Sequence, residues 1–303
     1  MIASCRYWAF GLLIASEIEL PELAPAPDRS GPVDVHIRLG AVEPWLEGAE
    51  PVEPGVWSRS DVLLLDFGPA RYLVRAGREI VVQPAAGGSA RDLRVYLLGS
   101  ALGGLCHQRG LLPLHANAIE IAGAAIAFMG SSGAGKSTLA GRLLQRGYRI
   151  LCDDVCVAGF DAAGGPIAWP GVRRIKLWRD AVDAMGLEAA GLEPVSDDDD
   201  KFSLPAPHDS PRAPLPLKRI YILDEAEDEA VPSIRRLSGG EAFDFVWANL
   251  YRLALVTSDP EKQAQFHRIL ILVGAVEVFL VKRRWGYSHI DEEVDRLINH
   301  ATM

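Results

Sequence analysis

The chain has 303 residues, 49% of them hydrophobic and 23% charged, which is enough apolar material for a large core and the ordinary balance of a soluble globular protein. A formal net charge of −9 at pH 7 argues against non-specific nucleic-acid binding, which needs a basic surface. The four cysteines, Cys5, Cys106, Cys152 and Cys156, lack the paired spacing of a zinc site, and free thiols of this kind fit a reducing, cytoplasmic compartment.

The apolar stretch from Tyr7 to Ala15 invites comparison with a secretion signal. It is short, contains Gly11, lacks a small-residue cleavage site and falls far below membrane-spanning length, so it reads as a buried strand. Residues 1–90 read as a β-rich lobe. Strands are expected at Arg6–Leu13, Val33–Leu39, Val56–Arg59, Val62–Phe67, Tyr72–Ala76 and Glu79–Gln83, with a Pro-rich connector from Pro21 to Pro32. No catalytic constellation falls in this lobe, whose simplest role is structural or partner-docking. The small-residue stretch Pro84 to Ala90 marks a boundary, and residues 91–303 form the second lobe.

That lobe opens with a helical pattern from Asp92 to Arg109, where Leu93, Tyr96, Leu97, Ala101 and Leu105 recur near one face. Two strands follow, Leu114–Ile121 and Ala124–Met129, across a tight turn at Ala122-Gly123. The second runs directly into Gly130-Ser131-Ser132-Gly133-Ala134-Gly135-Lys136-Ser137, a complete phosphate-binding loop, and then into a helix carrying Leu139, Leu143 and Leu144. Glycines let successive backbone N–H groups converge on phosphate oxygens, and the helix N-terminus adds positive potential. Lys136 is then expected on the β- and γ-phosphates, Ser137 on Mg²⁺, and Thr138 closes the nucleotide-binding set.

Arg149 to Val157 reads as one buried strand with Asp153-Asp154 in its middle. Two carboxylates in an apolar strand are costly unless they hold a cation or do chemistry, and strand alternation would send them to opposite faces. Further on, Ile167 to Trp178 is strand-like, broken by Pro170-Gly171, and carries the basic group Arg173, Arg174, Lys176, which suits either phosphate or solvent. Asp180–Met185 is a short helix, Asp197–Asp200 a solvated acidic loop, and Pro205–Pro216 an irregular proline-rich segment. Lys218–Leu223, Ile234–Leu237 and Val276–Lys282 read as strands, and Pro260–Val273 and Ile290–His300 as helices. Ser238 with Glu241 three residues on has the pattern of a capping box at the head of another helix.

Leu114-His115 ahead of a strand pair, the glycine loop with Lys136-Ser137, and Arg146-Gly147-Tyr148-Arg149-Ile150-Leu151-Cys152-Asp153-Asp154, in this order and at these gaps, resemble the catalytic core of the HPr kinase/phosphorylase family. The resemblance covers about Leu114 to Val157. It implies an α/β fold in which a lobe similar to phosphoenolpyruvate carboxykinase follows the β-rich N-terminal lobe, and phosphorylation of a serine hydroxyl with ATP and Mg²⁺. Carried over residue by residue, it makes Asp153 the base on the serine, places Asp154 near the metal with Ser137, and brings His115 close to the reacting groups beside Lys136. The family's Glu-Val-Arg-Gly-Leu-Gly-type signature is missing, which puts the reverse reaction and HPr itself as substrate in doubt. Tyr7-Trp8-Ala9-Phe10-Gly11-Leu12, Asp34-Val35-His36-Ile37-Arg38 and Lys176-Leu177-Trp178 are similar to a divergent branch found in gene clusters for ribosomally made peptides, including lasso peptides. Members of that branch phosphorylate a serine at the precursor's C-terminus. The resulting expectation is a serine kinase for a peptide or small protein, with no nucleic-acid or membrane partner and homo-oligomerisation left open. A kinase for a small-molecule hydroxyl, or a nucleotide-binding regulatory protein with little turnover, are the alternatives.

Overall fold

The computed structural model describes residues 4–26, 31–49, 51–59, 61–197, 200–207, 210–225 and 231–303. Parts of the Pro-rich connector, the acidic loop and the Pro205–Pro216 segment, at 27–30, 198–199 and 208–209, lie outside the described residues.

The N-terminal strands are β1 (Cys5–Ala9), β2 (Leu12–Ser16), β3 (Ala24–Pro25), β4 (Val35–Leu39), β5 (Pro51–Glu53), β6 (Val56–Arg59), β7 (Val62–Phe67), β8 (Ala70–Arg75) and β9 (Glu79–Pro84). They form one sheet in the order β3-β1-β2-β4-β9-β8-β7-β6-β5, with β4 parallel to both neighbours and every other pairing antiparallel. Alternation along β8 buries Ala70, Tyr72 and Val74 on one face. A continuous helical rod covers that face: α1 (Ala90–Tyr96), a π-helical turn (Leu97–Ala101) and α2 (Leu102–Gln108). Ser89 caps α1 by accepting from the Asp92 N–H. Leu93, Leu97, Leu98, Leu102 and Leu105 pack with Tyr72, Val74 and Ile80, while Val155, Val157, Val172 and Leu255 of the following region join the same core. The rod is therefore the hydrophobic partner of the first sheet, and Val155 and Val157 of the following region bring the two lobes into contact through this core.

The second sheet is built from β10 (Leu112–Ile121), β11 (Ala124–Met129), β12 (Arg149–Cys152), β13 (Val155–Phe160), β14 (Pro166–Ala168), β18 (Leu215–Glu225), β19 (Ser233–Leu237) and β20 (Glu277–Arg283). A smaller sheet holds β15 (Arg174–Trp178), β16 (Glu193–Pro194) and β17 (Lys201–Pro205). The hairpin β10–β11 turns at Ala122-Gly123, both at positive φ, as a two-residue hairpin loop requires. β11, β18 and β20 are mutually parallel neighbours, so their carboxyl ends lie on one edge.

Two helical layers cover this sheet. On one face α5 (Gly239–Ala248) and α6 (Asp259–Ala275) pack on Leu114, Ala116, Ala118, Ala125, Ala127 and Met129. On the other, α3 (Lys136–Gln145) and α7 (Ile290–Thr302) pack on Ile119, Ile121, Ile126 and Phe128, beside the short α4 (Arg179–Ala184). Asp291 ties α7 to α3 by accepting from Arg142 and Arg146, each at 2.7 Å. Among the described residues no helix is long and apolar enough to cross a membrane.

Three local expectations change. Arg6–Leu13 is not one strand but parts of β1 and β2, antiparallel to each other across a turn at Phe10-Gly11, both at positive φ. The capping box at Ser238 does not form: its side chain makes no cap hydrogen bond, and Arg235 takes both Glu241 oxygens, at 2.9 and 2.6 Å. Arg149–Val157 is not one strand. It is β12 and β13, both antiparallel to β10, with Asp153 and Asp154 at the bend between them.

Candidate active site

That bend faces the phosphate-binding loop across a cavity of about 410 Å³ at the carboxyl ends of β11, β18 and β20. In open α/β sheets this edge is where ligands bind. The loop leaves β11 at Gly130 and enters α3 at Lys136. Gly135 sits at φ 74°, and a Cβ there would run into the Arg283 guanidinium, so both the turn and the close approach require glycine. Arg283, at the end of β20, is buried and donates to the Ala134 carbonyl, bracing the loop from the sheet side. At the loop's start the Gly130 N–H donates to Asn249 Oδ1 at 3.2 Å, and the His115 N–H donates to the Asn249 carbonyl at 2.7 Å. One residue after α5 thus registers both walls of the cavity.

Lys136 folds back over its loop, with Nζ donating to the Gly130 and Ser131 carbonyls at 2.8 and 3.0 Å. Burial lowers its pKa, and the nearby Asp154 and Asp153 charges oppose that shift. Ser132, Gly133, Gly135, Ser137 and Thr138 also line the cavity.

The two aspartates occupy different surroundings. Asp153 is 2% exposed and both its oxygens are engaged. Oδ1 accepts from the Ser137 hydroxyl at 3.4 Å, and Oδ2 from the Lys176 backbone N–H at 3.0 Å. Burial, together with the Asp154 charge, raises its pKa to about 6 against the pull of Lys176. Asp154 is the centre of a three-residue turn closed by the Val155 N–H donating to the Asp153 carbonyl at 2.8 Å. Its φ of 68° is a strained conformation for a non-glycine residue, and such strain collects at functional sites. Its side chain keeps 30% exposure to the cavity. Oδ2 accepts from Lys176 Nζ at 2.8 Å, and Oδ1 lies 3.4 Å from His115 Nε2. Burial by itself would raise the Asp154 pKa, but Lys176, then His115 and Lys136, outweigh it and bring it to about 2. The same pairing raises Lys176 in spite of its burial. His115 is lowered, first by burial and then by Lys136, while the Asp154 charge opposes the shift.

Of the residues expected at the site, His115, Ser132, Gly133, Gly135, Lys136, Ser137, Thr138, Asp153 and Asp154 line this cavity, while Gly130, Ser131 and Ala134 belong to the loop without lining it; the reason given for separating the aspartates is replaced. Side-chain alternation along a strand does not apply at a bend; a strained turn sends the two carboxylates to different partners. Of the basic group, Lys176 reaches the cavity while Arg174 is taken by Glu22 at 3.2 Å. Sequence reading missed Arg283, Asn249 and Asn117, which long-range pairing delivers. It also missed the aromatic rim, where Trp178, Trp285 and Tyr287 remain 51%, 53% and 39% exposed. Lys201 Nζ lies 4.1 Å from the centre of the Trp178 ring, and the Arg283 guanidinium 5.4 Å from that of Trp285.

The donor set fits a hard cation. Ser137 and Asp153 offer oxygen, and no group of three or more His, Cys, Asp or Glu side chains gathers among the described residues to form a closed cage. Mg²⁺ ordinarily takes one or two carboxylates and completes its shell with phosphate and water. No family model and no curated protein matches the sequence. Among solved structures the chain is similar to the Hpr(Ser) kinase/phosphatase from Coxiella burnetii, at 14% identity and a TM-score of 0.35, over 63% of this chain and 96% of that one.

Proposed function

We propose that the chain is an ATP- and Mg²⁺-dependent phosphotransferase that phosphorylates a serine hydroxyl of a peptide or small protein. The observation that carries the reading is the cavity itself, which joins a complete phosphate-binding loop to an open, cation-flanked carboxylate at Asp154. Bound Mg²⁺ would supply neutralisation of phosphate charge and alignment of the transferring group.

The loop N–H groups and the α3 N-terminus grip the phosphates, and Lys136 exchanges its loop carbonyls for phosphate oxygens. Ser137, whose hydroxyl donates to Asp153, is the residue that would hold the cation. Asp154 receives the substrate hydroxyl and takes its proton, while His115 and Lys176 fix the carboxylate on two sides. This assignment exchanges the roles that the sequence resemblance implies for the two aspartates. The raised pKa of Asp153 suits a base, but geometry comes first: both Asp153 oxygens are already engaged, by Ser137 and the Lys176 backbone, whereas Asp154 is the more exposed of the two in the cavity they both line. The rim rings of Trp285 and Tyr287 offer a stacking surface for the base of the nucleotide. Peptide substrates, and the C-terminal serine of a lasso-type precursor in particular, are supported by the sequence resemblance alone.

The test is incubation with ATP, Mg²⁺ and serine-bearing peptides, read by intact-mass spectrometry. The expected product gains one phosphate on serine, and a Ser→Ala peptide gains none. Phosphate found on histidine or on a carboxylate would contradict the assignment.

A further inference from the structure

Asn117 lies two residues after His115 on β10, on the face that β10 turns toward α3. It contributes to the wall of the same cavity as Lys136, Ser137 and Asp153, yet it is 1% exposed. Among the described residues neither its Oδ1 nor its Nδ2 has a hydrogen-bond partner. Phe128 lies opposite on β11 and Ile119 is next on the same face, while on the other side the registers of β12 and β13 bring the bend at Asp153 beside it. A buried amide left unpaired is costly, and a well-packed hydrophobic residue of the same size would occupy the place without that cost.

We infer that Asn117 is a positioning residue for the hydrated cation that enters with the nucleotide, holding a water of its shell beneath Ser137 and Asp153. This rests on the phosphotransferase reading. The chemistry of the amide selects the ligand. A phosphate oxygen only accepts, and would satisfy Nδ2 alone. Water accepts from Nδ2 and donates to Oδ1, so it answers both orphaned atoms. The Asp153 carboxylate and the Ser137 hydroxyl line the same cavity and provide the further polar partners that an ordered water needs.

The experiment compares wild type, Asn117→Leu and Asn117→Ser by thermal melting without ligand and by calorimetric titration with ATP, once with Mg²⁺ and once in EDTA. For Asn117→Leu, nearly isosteric and apolar, the ligand-free melting temperature rises by about 2–6 °C because an unpaired buried amide is removed. Its affinity for ATP with Mg²⁺ falls about tenfold, while its affinity in EDTA is unchanged. Asn117→Ser, which keeps a donor and an acceptor, stays within about threefold of wild type with Mg²⁺. A fall in the ligand-free melting temperature of Asn117→Leu would mean that the amide stabilises the fold through a resident water, and would overturn the inference. Equal loss with and without Mg²⁺, no loss at all, or equal loss in both variants would overturn it too. Wild type that binds no ATP under either condition would instead overturn the phosphotransferase reading, and this inference with it. If Asn117→Leu does not fold, Asn117→Ser is read in its place, and a loss of more than about tenfold with Mg²⁺ alone would overturn the water-mediated account.

Discussion

The two sheets bury very different things. Under the helical rod the N-terminal sheet buries Tyr72, Val74 and Ile80, and the ion pairs along its strands, such as Arg71–Asp66 and Arg75–Glu79, stay at the surface, while the buried Glu22 between β2 and β3 is matched by Arg94 and Arg174. The one polar atom that Tyr72 takes into that core is spent on the Leu93 carbonyl, at 2.8 Å. Along the cavity, the second sheet gathers Lys136, Asp153, Asp154, Lys176, His115 and Asn117 in partly or wholly dry surroundings. Charge in low dielectric is expensive, so a region that gathers many such groups around an open cavity is organised around a ligand, whereas a region that holds few, and those in matched pairs, is organised around packing. The contrast predicts that mutations in the first sheet act on stability and those at the cavity on binding and turnover.

Lys136→Ala is expected to give the largest effect on the cavity side: phosphoryl transfer falls by about 10³-fold or more, with the melting temperature within about 2 °C of wild type. Single-turnover assays and melting curves check it. Transfer near the wild-type rate would remove the phosphate-binding loop from the account. Leu97→Ala is the counterpart under the first sheet. It empties part of a fully buried site, costs about 2–5 kcal/mol in chemical denaturation, and leaves the turnover of the folded protein within about threefold. A selective loss of turnover at full folding would blur the contrast between the two regions.

Asp153→Asn sharpens it from the opposite direction. A carboxyl raised from 3.8 to about 6 in the folded chain holds its proton there more tightly than in the unfolded chain. Stability therefore falls as pH rises through that interval, and the deficit is complete above pH 6. At about 1.4 kcal/mol per pH unit the neutral amide recovers at most about 3 kcal/mol at pH 7.5 and nothing at pH 3. Denaturation at the two pH values measures this, and equal stability of variant and wild type at pH 7.5 would show that Asp153 carries no such burden. The smallest effect belongs to the rim. Trp285→Ala is expected to weaken ATP about 5–10-fold and leave inorganic tripolyphosphate unchanged, because only the base loses a stacking partner. Equal weakening of both ligands would place Trp285 against the phosphates.

How far the sequence could be read follows the range of the interactions. The glycine loop, the Ala122-Gly123 hairpin and the helices at 259–275 and 290–302 are set by neighbours in the chain, and they were legible. The bend at Asp153-Asp154 was not. The run from Arg149 to Val157 carries no Gly or Pro, and the break arises because β12 pairs with the far half of β10 while β13 pairs with the near half. Arg283 reaches the loop through the parallel register of β18 and β20, in which Glu225 lies opposite it, and Asn249 through a single turn after α5. Neither has a local signal. The capping box failed for a related reason: Arg235, six residues away across a turn, outcompetes the backbone for Glu241.

The division of labour between the adjacent aspartates is the claim most open to direct attack. The decisive measurement is a Mg²⁺ titration of ATP binding, with single-turnover transfer, for Asp153→Asn and Asp154→Asn. If Asp153 supports the cation through Ser137, its variant needs more Mg²⁺ to bind ATP and is partly rescued by adding it. If Asp154 takes the substrate proton, its variant binds ATP with the wild-type Mg²⁺ requirement, loses about 10²–10⁴-fold in transfer, and is not rescued. The reverse pattern, with rescue of Asp154→Asn and unrescued loss in Asp153→Asn, would contradict the account.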